Sequence, residues 1–316
     1  TFLLAPVAGA GRRPHRAPCV AGGRALRLRS RAWVAVVAVT TAACLSPMGA
    51  DAQTREVAFS TDEGTWLSLD VSPRRDGLVF ELLGDIYALP VAGGAATPVL
   101  TGTAFQSQPR YSPDGLWLAY ISDESGADNL WVARSDGSGA RPITDRTGST
   151  FISPEWSVDG ETLFVTVVTG AFQRVAELWG FDVADGSETR LVENGNGPSA
   201  PLVSSPAPGP YGGSVAPDGS IYYTSVTPRP YGSRTGASSA VMRYDPAVGR
   251  SAPVPLEGIQ AMKPRVSPDG RTLVYAAMRD GRTGLKARDL SAGTERWIAY
   301  PIQRNQLEGR ATRDLL

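Results

Sequence analysis

The stretch RYSPDGLWLAYIS, residues 110 to 122, joins a strand-like segment to a run of apolar side chains through Ser112-Pro113-Asp114-Gly115. Proline sets φ for the second position of a type I turn, aspartate suits the bend and glycine accepts the exit, so the stretch reads as a β-hairpin. The same turn recurs as Ser72-Pro73-Arg74-Arg75-Asp76-Gly77, Ser157-Val158-Asp159-Gly160, Ala216-Pro217-Asp218-Gly219 and Ser267-Pro268-Asp269-Gly270. Each copy is followed by a β-rich run: LVFELL, TLFVTVV, IYYTSV or TLVYAAM.

The closing glycines fall at 77, 115, 160, 219 and 270, giving spacings of 38, 45, 59 and 51 residues. Propeller blades repeat over this range. The order of signals within a unit is also kept. After the apolar run come a polar turn, an aromatic-bearing strand (DIYALPV, NLWVARS, ELWGFDV, VMRYDPA), a glycine-containing turn, and a short strand such as TPVL, RPIT or TRLV. Four short strands per unit, repeated radially, make an all-β chain of four-stranded antiparallel blades, a β-propeller with about five blades visible. A two-sheet sandwich also uses short strands and turns, but its turns would not recur in this fixed order.

Repeats from about Trp66 to Tyr300 leave room for one large domain, expected to span residues 53–316. The first 52 residues differ in kind. Arg24, Arg27, Arg29 and Arg31 lead into AWVAVVAVTTAACL, a 14-residue apolar run from Ala32 to Leu45 that is too short to span a bilayer, and Ala50-Asp51-Ala52 follows. Residues 1–52 are therefore expected to be a leader with a secretory signal peptide, cleaved before Gln53. The competing reading makes Thr41-Ala42-Ala43-Cys44 a lipidation box with Cys44 as the acylated terminus. Either way the chain is expected to be exported, to the periplasm or beyond the cell, with no transmembrane span in the mature form.

Cleavage would remove seven arginines and Asp51 from 31 basic and 31 acidic residues, leaving a net charge of about −6. Such a chain lacks the basic footprint that nucleic acid requires. Cys19, Cys44 and the single histidine, His15, all lie in the leader. Residues 53–316 thus hold no usual general base for a serine or cysteine nucleophile, no cysteine nucleophile, and no imidazole for a hydrolytic zinc site. No G-x-S-x-G elbow, P-loop or G-x-G-x-x-G appears, and Asn194-Gly195-Asn196-Gly197 reads as a turn. Asp123, Glu124 and Asp128 could approach Ca²⁺, but their spacing matches no recognised loop and suits solvated hairpin turns. No catalytic, cofactor-binding or metal residue is assigned. Trp66, Trp117, Trp131, Trp156, Trp179 and Trp297 are read as packing between blades rather than as a binding platform.

One positional pattern does point to a site. Aligning QPRYSPDG, SPEWSVDG and KPRVSPDG stacks Arg110, Glu155 and Arg265, with Gln108, Ser153 and Lys263 two positions earlier. If the strand entering the hairpin is the innermost of each blade, these residues lie near the mouth of the central channel. They form a polar ligand or partner site there, or a closed ring of ion pairs that satisfies the channel.

The phrases QPRYSPDGLWLAYISDESGADNLWV and KPRVSPDGRTLVYAAM resemble the blades of TolB-type, WD-like periplasmic propellers over roughly residues 57 to 300. That blade occurs in TolB, in tricorn-like proteases, in prolyl oligopeptidase relatives and fused to amidohydrolases, so it implies a fold more than a function. EGTWLSLDVSP followed by LVFELLGDIYALPVAGGAATPVLTGTAFQSQPRYSPDG is similar to the N-terminal propeller of exported bacterial amidohydrolases. The resemblance implies a metal-dependent hydrolase barrel downstream, with zinc or another divalent metal there, although no H-x-H or carboxylated-lysine segment stands in this chain. It implies a scaffold or substrate-access role, with the intramolecular catalytic domain as partner. The alternatives are a stand-alone TolB-like propeller that docks an envelope protein, and the propeller of a serine peptidase. YPIQRNQLEGRATRDLL follows the fifth unit without a closing strand, so the propeller is expected to be incomplete, cut from six or seven blades.

Overall fold

The computed structural model describes residues 2–3, 60–61, 67–170, 174–193, 209–227, 238–257 and 260–302. The chain divides into two compact units, Thr1–Val7 with Ser60–Leu316, and Ala8–Phe59. The second unit lies outside the described residues, and with it the expected apolar leader segment, the cleavage site, and Cys44. Trp66 and Asn194–Gly197 lie outside them as well.

Among the described residues every regular element is a strand. Phe2–Leu3 (β1) pairs antiparallel with Ser60–Thr61 (β2). Five four-stranded antiparallel sheets follow in chain order, each a simple meander, and together they form a five-bladed β-propeller. Blade I holds Leu69–Val71 (β3), Gly77–Leu82 (β4), Asp85–Pro90 (β5) and Thr97–Leu100 (β6). Blade II holds Gln106–Tyr111 (β7), Trp117–Ser122 (β8), Asn129–Arg134 (β9) and Arg141–Pro142 (β10). Blade III holds Ser149–Trp156 (β11), Thr162–Thr169 (β12), Val175–Asp182 (β13) and Glu188–Val192 (β14). Blade IV holds Gly209–Val215 (β15), Ile221–Thr227 (β16), Ser238–Asp245 (β17) and Arg250–Pro253 (β18). Blade V holds Ala261–Val266 (β19), Thr272–Arg279 (β20), Arg282–Asp289 (β21) and Glu295–Ala299 (β22).

The repeated turn is closed by its own side chains. In blade II the Ser112 hydroxyl donates to Asp114 Oδ1 at 2.5 Å and accepts the Trp117 N–H at 2.9 Å, while Leu116 N–H donates to Asp114 Oδ1 at 3.0 Å. Ser157 with Asp159 and Ser267 with Asp269 repeat all three bonds. The serine hydroxyl, with the turn N–H, holds Asp114, Asp159 and Asp269 below the usual carboxylate range. Gly115 takes φ 72°, a left-handed value that glycine adopts without strain. A Cβ there would also lie 3.5 Å from Cδ of Pro73, the proline of the preceding blade's turn. The turns therefore stack from blade to blade.

Alternation along β4, β8, β12, β16 and β20 buries residues on both faces, as expected for sheets covered on either side. One core cluster joins Val79, Ile86 and Leu100 of blade I to Leu118, Tyr120, Trp131 and Ala133 of blade II. Ala119, Ile121, Leu130, Val132 and Ile143 of blade II meet Phe151, Trp156, Leu163, Val165, Val167 and Phe181 of blade III. Leu178 meets Ile221, Tyr223 and Tyr244 between blades III and IV, and Val241 and Tyr222 meet Leu273 and Tyr275 between IV and V. Blade I also buries Phe80, Tyr87 and Ala96 among its own residues, but the larger clusters join neighbouring blades, so much of each blade's stability resides in its neighbours. The described tryptophans take part: Trp131 and Trp156 are buried in these clusters, and Trp117, Trp179 and Trp297 pack against them.

Candidate functional site: the polar ring on the propeller axis

The first strand of each blade carries one residue at the same station, two positions before the turn: Asp70, Arg110, Glu155, Ser214 and Arg265. Each stands opposite the equivalent residue of the next strand, namely Val79, Ala119, Phe164, Tyr222 and Val274. Three of the five converge directly. Arg265 of blade V hydrogen-bonds the Glu155 carboxylate of blade III, and Arg110 Nε of blade II lies 4.0 Å from Glu155 Oε2. Contact between blades III and V, with blade IV in between, puts these strands innermost around the axis.

The ring is tied to backbone as well. Arg110 donates to the carbonyls of Leu69 and Pro109, both at 2.9 Å, and Arg265 donates to the Gly213 carbonyl at 3.3 Å. Asp70 Oδ2 accepts the Tyr111 N–H, and Ser214 Oγ accepts the Val266 N–H, each at 2.9 Å. Trp156 Nε1 donates to the Arg110 carbonyl at 3.1 Å. Arg110 and Glu155 keep only 12% and 21% of their side-chain surface open, whereas Arg265 keeps 46% and faces the solvent of the channel.

Just before the ring, β7, β11, β15 and β19 each carry a bulge. The extra residue is left-handed: Gln108 (φ 55°), Ser153 (φ 55°), Gly212 (φ 59°) and Lys263 (φ 52°). In three blades a proline follows, Pro109, Pro154 or Pro264, and a residue that cannot donate to the ladder fits at a bulge. Each bulged N–H is captured by the preceding blade. Glu81 accepts from Gln108, Thr166 Oγ1 accepts from Gly212 at 3.2 Å, and Thr224 Oγ1 accepts from Lys263 at 2.9 Å. Ile121 occupies the corresponding position of β8 and has no acceptor; Gln108 Oε1 takes its place, accepting the Ser153 N–H at 2.6 Å.

Electrostatics differ from one side of the ring to the other. Burial raises the Asp70 carboxyl despite Arg110 beside it, and burial raises Glu81 against the pull of the Gln108 N–H. Burial, then repulsion from Arg265, lowers Arg110. Arg265 is held up against burial by Glu155. Lys263 falls to about 8, through enclosure by the channel wall and then repulsion from Arg265 and Arg110. Its side chain still reaches solvent.

The sequence alignment reached Gln108, Arg110, Ser153, Glu155, Lys263 and Arg265, and the structure puts all six on the inner strands. Asp70 and Ser214 escaped it because neither follows a proline, although counting two residues back from Ser72 and Ala216 would have found them. The acceptors Glu81, Thr166 and Thr224 are separated from their donors by 27 to 46 residues, and no local signal marks them. Among the described residues no group of three or more His, Cys, Asp or Glu is placed to hold a metal. Asp123 is instead engaged in structure, its Oδ1 accepting the Phe105 N–H at 2.7 Å. None of the described residues forms a helix long and apolar enough to cross a membrane.

No family model matches the chain. Among curated proteins, an uncharacterized peptidase of Bacillus subtilis, YuxL, is 38% identical over 87 residues, covering 27% of this chain and 13% of that protein. An uncharacterized protein of Agrobacterium fabrum, Atu1656, is 34% identical over 95 residues, covering 30% of this chain and 32% of that protein. The chain thus spans about a third or less of these relatives. Among solved structures, one described as a TolB of Agrobacterium tumefaciens aligns with TM-score 0.56 and 23% identity, covering 73% of this chain and 79% of that one. A puromycin-hydrolysing peptidase of Mycobacterium tuberculosis aligns with TM-score 0.51 and 16% identity, covering 75% of this chain and 38% of that one. At these identities the likeness shows the fold, a TolB-like β-propeller of the kind also carried by peptidases.

Proposed function

We propose that this chain is the non-catalytic propeller region of an exported hydrolase, acting as scaffold and substrate-access domain, and that the hydrolase is a peptidase. The similarity to the YuxL peptidase over 87 residues carries this reading. The propeller likeness to the puromycin-hydrolysing peptidase, of which the chain covers 38%, supports it. The chemistry agrees, since residues 53–316 contain no histidine or cysteine to complete a nucleophilic site. The amidohydrolase reading, with its downstream zinc, rests on the resemblance of the stretch from Glu63 to Gly115, and none of the relatives reported above is named for that activity.

A second reading is favoured by the alignment that covers 79% of the TolB structure: a stand-alone propeller that docks an envelope protein. The coding sequence beyond Leu316 separates the readings. A G-x-S-x-G elbow with later Asp and His supports the peptidase. An H-x-H pair with further metal ligands overturns it in favour of the amidohydrolase, and a stop codon within one blade leaves the docking module.

A further inference from the structure

Strand direction alternates along each meander, so the hairpin between second and third strands and the link to the next blade emerge at the end of the propeller opposite the repeated turns. At blade I this end carries two exposed apolar side chains, Leu83 (73% exposed) in the hairpin and Phe105 (57% exposed) in the link. They share a corner, since a Cβ on Gly84 would come within 2.9 Å of the Phe105 ring. The ring is held out by its backbone: Asp123 accepts the Phe105 N–H, and Gln106 N–H donates to the Gly84 carbonyl at 2.8 Å. Leu83 and Gly84 make a two-residue turn with φ 57° and 89°, left-handed at both positions, for which Asn-Gly is the favoured pair. Neither burial nor backbone preference accounts for a leucine there.

Charge divides this end of the molecule. Segments 82–85, 101–105 and 122–129 hold Asp85, Asp123, Glu124 and Asp128 and no lysine or arginine, and the last three acids are exposed. Blade V presents the converse. Ile302 is exposed, its N–H donating to the Thr283 carbonyl at 3.0 Å beside the hairpin from Arg279 to Arg282. The Tyr300 hydroxyl donates to the Arg279 carbonyl at 2.5 Å, and the Arg279 guanidinium lies 5.8 Å from the Tyr300 ring centre. Arg296 and Ile298 are exposed on the adjoining β22. Of the charges in segments 279–282 and 296–302, Arg279, Arg282 and Arg296 are matched by one acid, Asp280, which pairs Arg279 at 3.6 Å.

We propose that this end is a self-association surface on which two copies of the chain meet face to face. The Leu83–Phe105 corner of each copy seats against the Ile298–Ile302 corner of the other, and Asp128 with its neighbouring acids lies opposite Arg279 and Arg282. Charge complementarity selects a second copy as the occupant, because the chain carries both halves of the contact at one end. Blades I and V are the first and last of the ring, so a twofold axis running between them exchanges the two corners and forms both contacts at once, closing the assembly at a dimer. The contact uses only residues of this chain, so its test is independent of the peptidase reading.

The test is sedimentation equilibrium of the full chain at about 0.05 M and about 0.5 M salt, between which exposed charge pairs become screened. A monomer–dimer equilibrium that weakens with salt is expected. Leu83→Asn completes the favoured Asn-Gly turn, so its melting temperature should hold or rise while its dimer weakens by about tenfold or more. Phe105→Ser should weaken the dimer comparably. Asp128→Arg and Arg282→Glu should each abolish self-association, and an equimolar mixture of the two should restore it, since each altered corner then meets its complement. A monomer at every concentration, growth past two copies, unchanged association in Leu83→Asn and Phe105→Ser, or a mixture that stays monomeric would overturn the proposal.

Discussion

The hairpin turns and the inner-strand bulges lie a few residues apart on the same strands, yet they are built on opposite plans. A turn satisfies itself: Ser267, Asp269 and Gly270 supply every group that the bend from Val266 to Thr272 requires. A bulge cannot. Its left-handed residue points an N–H out of its own sheet, and the acceptor comes from the blade before it. The contrast teaches where a propeller keeps its repeat and where it keeps its individuality. Local chemistry recurs almost unchanged, whereas the positions facing the axis vary from Asp to Arg to Glu to Ser.

The largest expected effect tests the dependence of one blade on the next. Trp156 is 4% exposed, packs against blade II and bonds the Arg110 carbonyl. Trp156→Ala is expected to cost about 3–5 kcal/mol in denaturant unfolding, the range for a buried tryptophan. Glu155→Gln follows, at about 2 kcal/mol, because it strands Arg110 beside Arg265; the open side of Arg265 keeps the loss below that of a fully buried pair. Restoration in the double variant Glu155→Gln with Arg265→Gln, measured as a thermodynamic cycle, would confirm that the cost is electrostatic.

Smaller effects sharpen the comparison itself. Thr224→Val leaves the Lys263 N–H without its acceptor and is expected to cost about 1–2 kcal/mol. Gly115→Ala places a side chain at φ 72° and is expected to cost about 1 kcal/mol. The two should add within about 0.5 kcal/mol, as separate sites do.

The last effect is a pH dependence, kept small because the Lys263 side chain is exposed to solvent. The folded-state pKa of Lys263, about 8, lies below its ordinary value of 10.5, so the unfolded chain binds the proton more readily between those limits. Stability should therefore rise with pH from about 8 to 10.5 through this group, and its cost should be fully present below 8. Unfolding of wild type and Lys263→Met in parallel isolates it: the variant's advantage should be largest at neutral pH and shrink as pH rises.

The blade repeat was legible because its signals are short-range. Ser, Pro, Asp and Gly act on their own backbone, and the apolar runs from Leu78, Trp117, Thr162, Ile221 and Thr272 mark the strands that follow. The six ring and bulge residues found by alignment were legible for the same reason, being held at a constant offset from the turn. Their partners were not. Nothing near Thr166 announces Gly212, and nothing near Ile121 announces that Gln108 supplies the missing acceptor.

By itself, then, the sequence determined the strands, their turns and their radial repetition, since each depends on dihedral preferences and polarity within a few residues. Only the tertiary structure decided that Glu155 joins blades II and V, that the bulged N–H groups are capped from the blade before, and that Lys263 lies near Arg265 and Arg110. Those facts depend on which chain segments meet around the axis, and sequence distance carries no information about that.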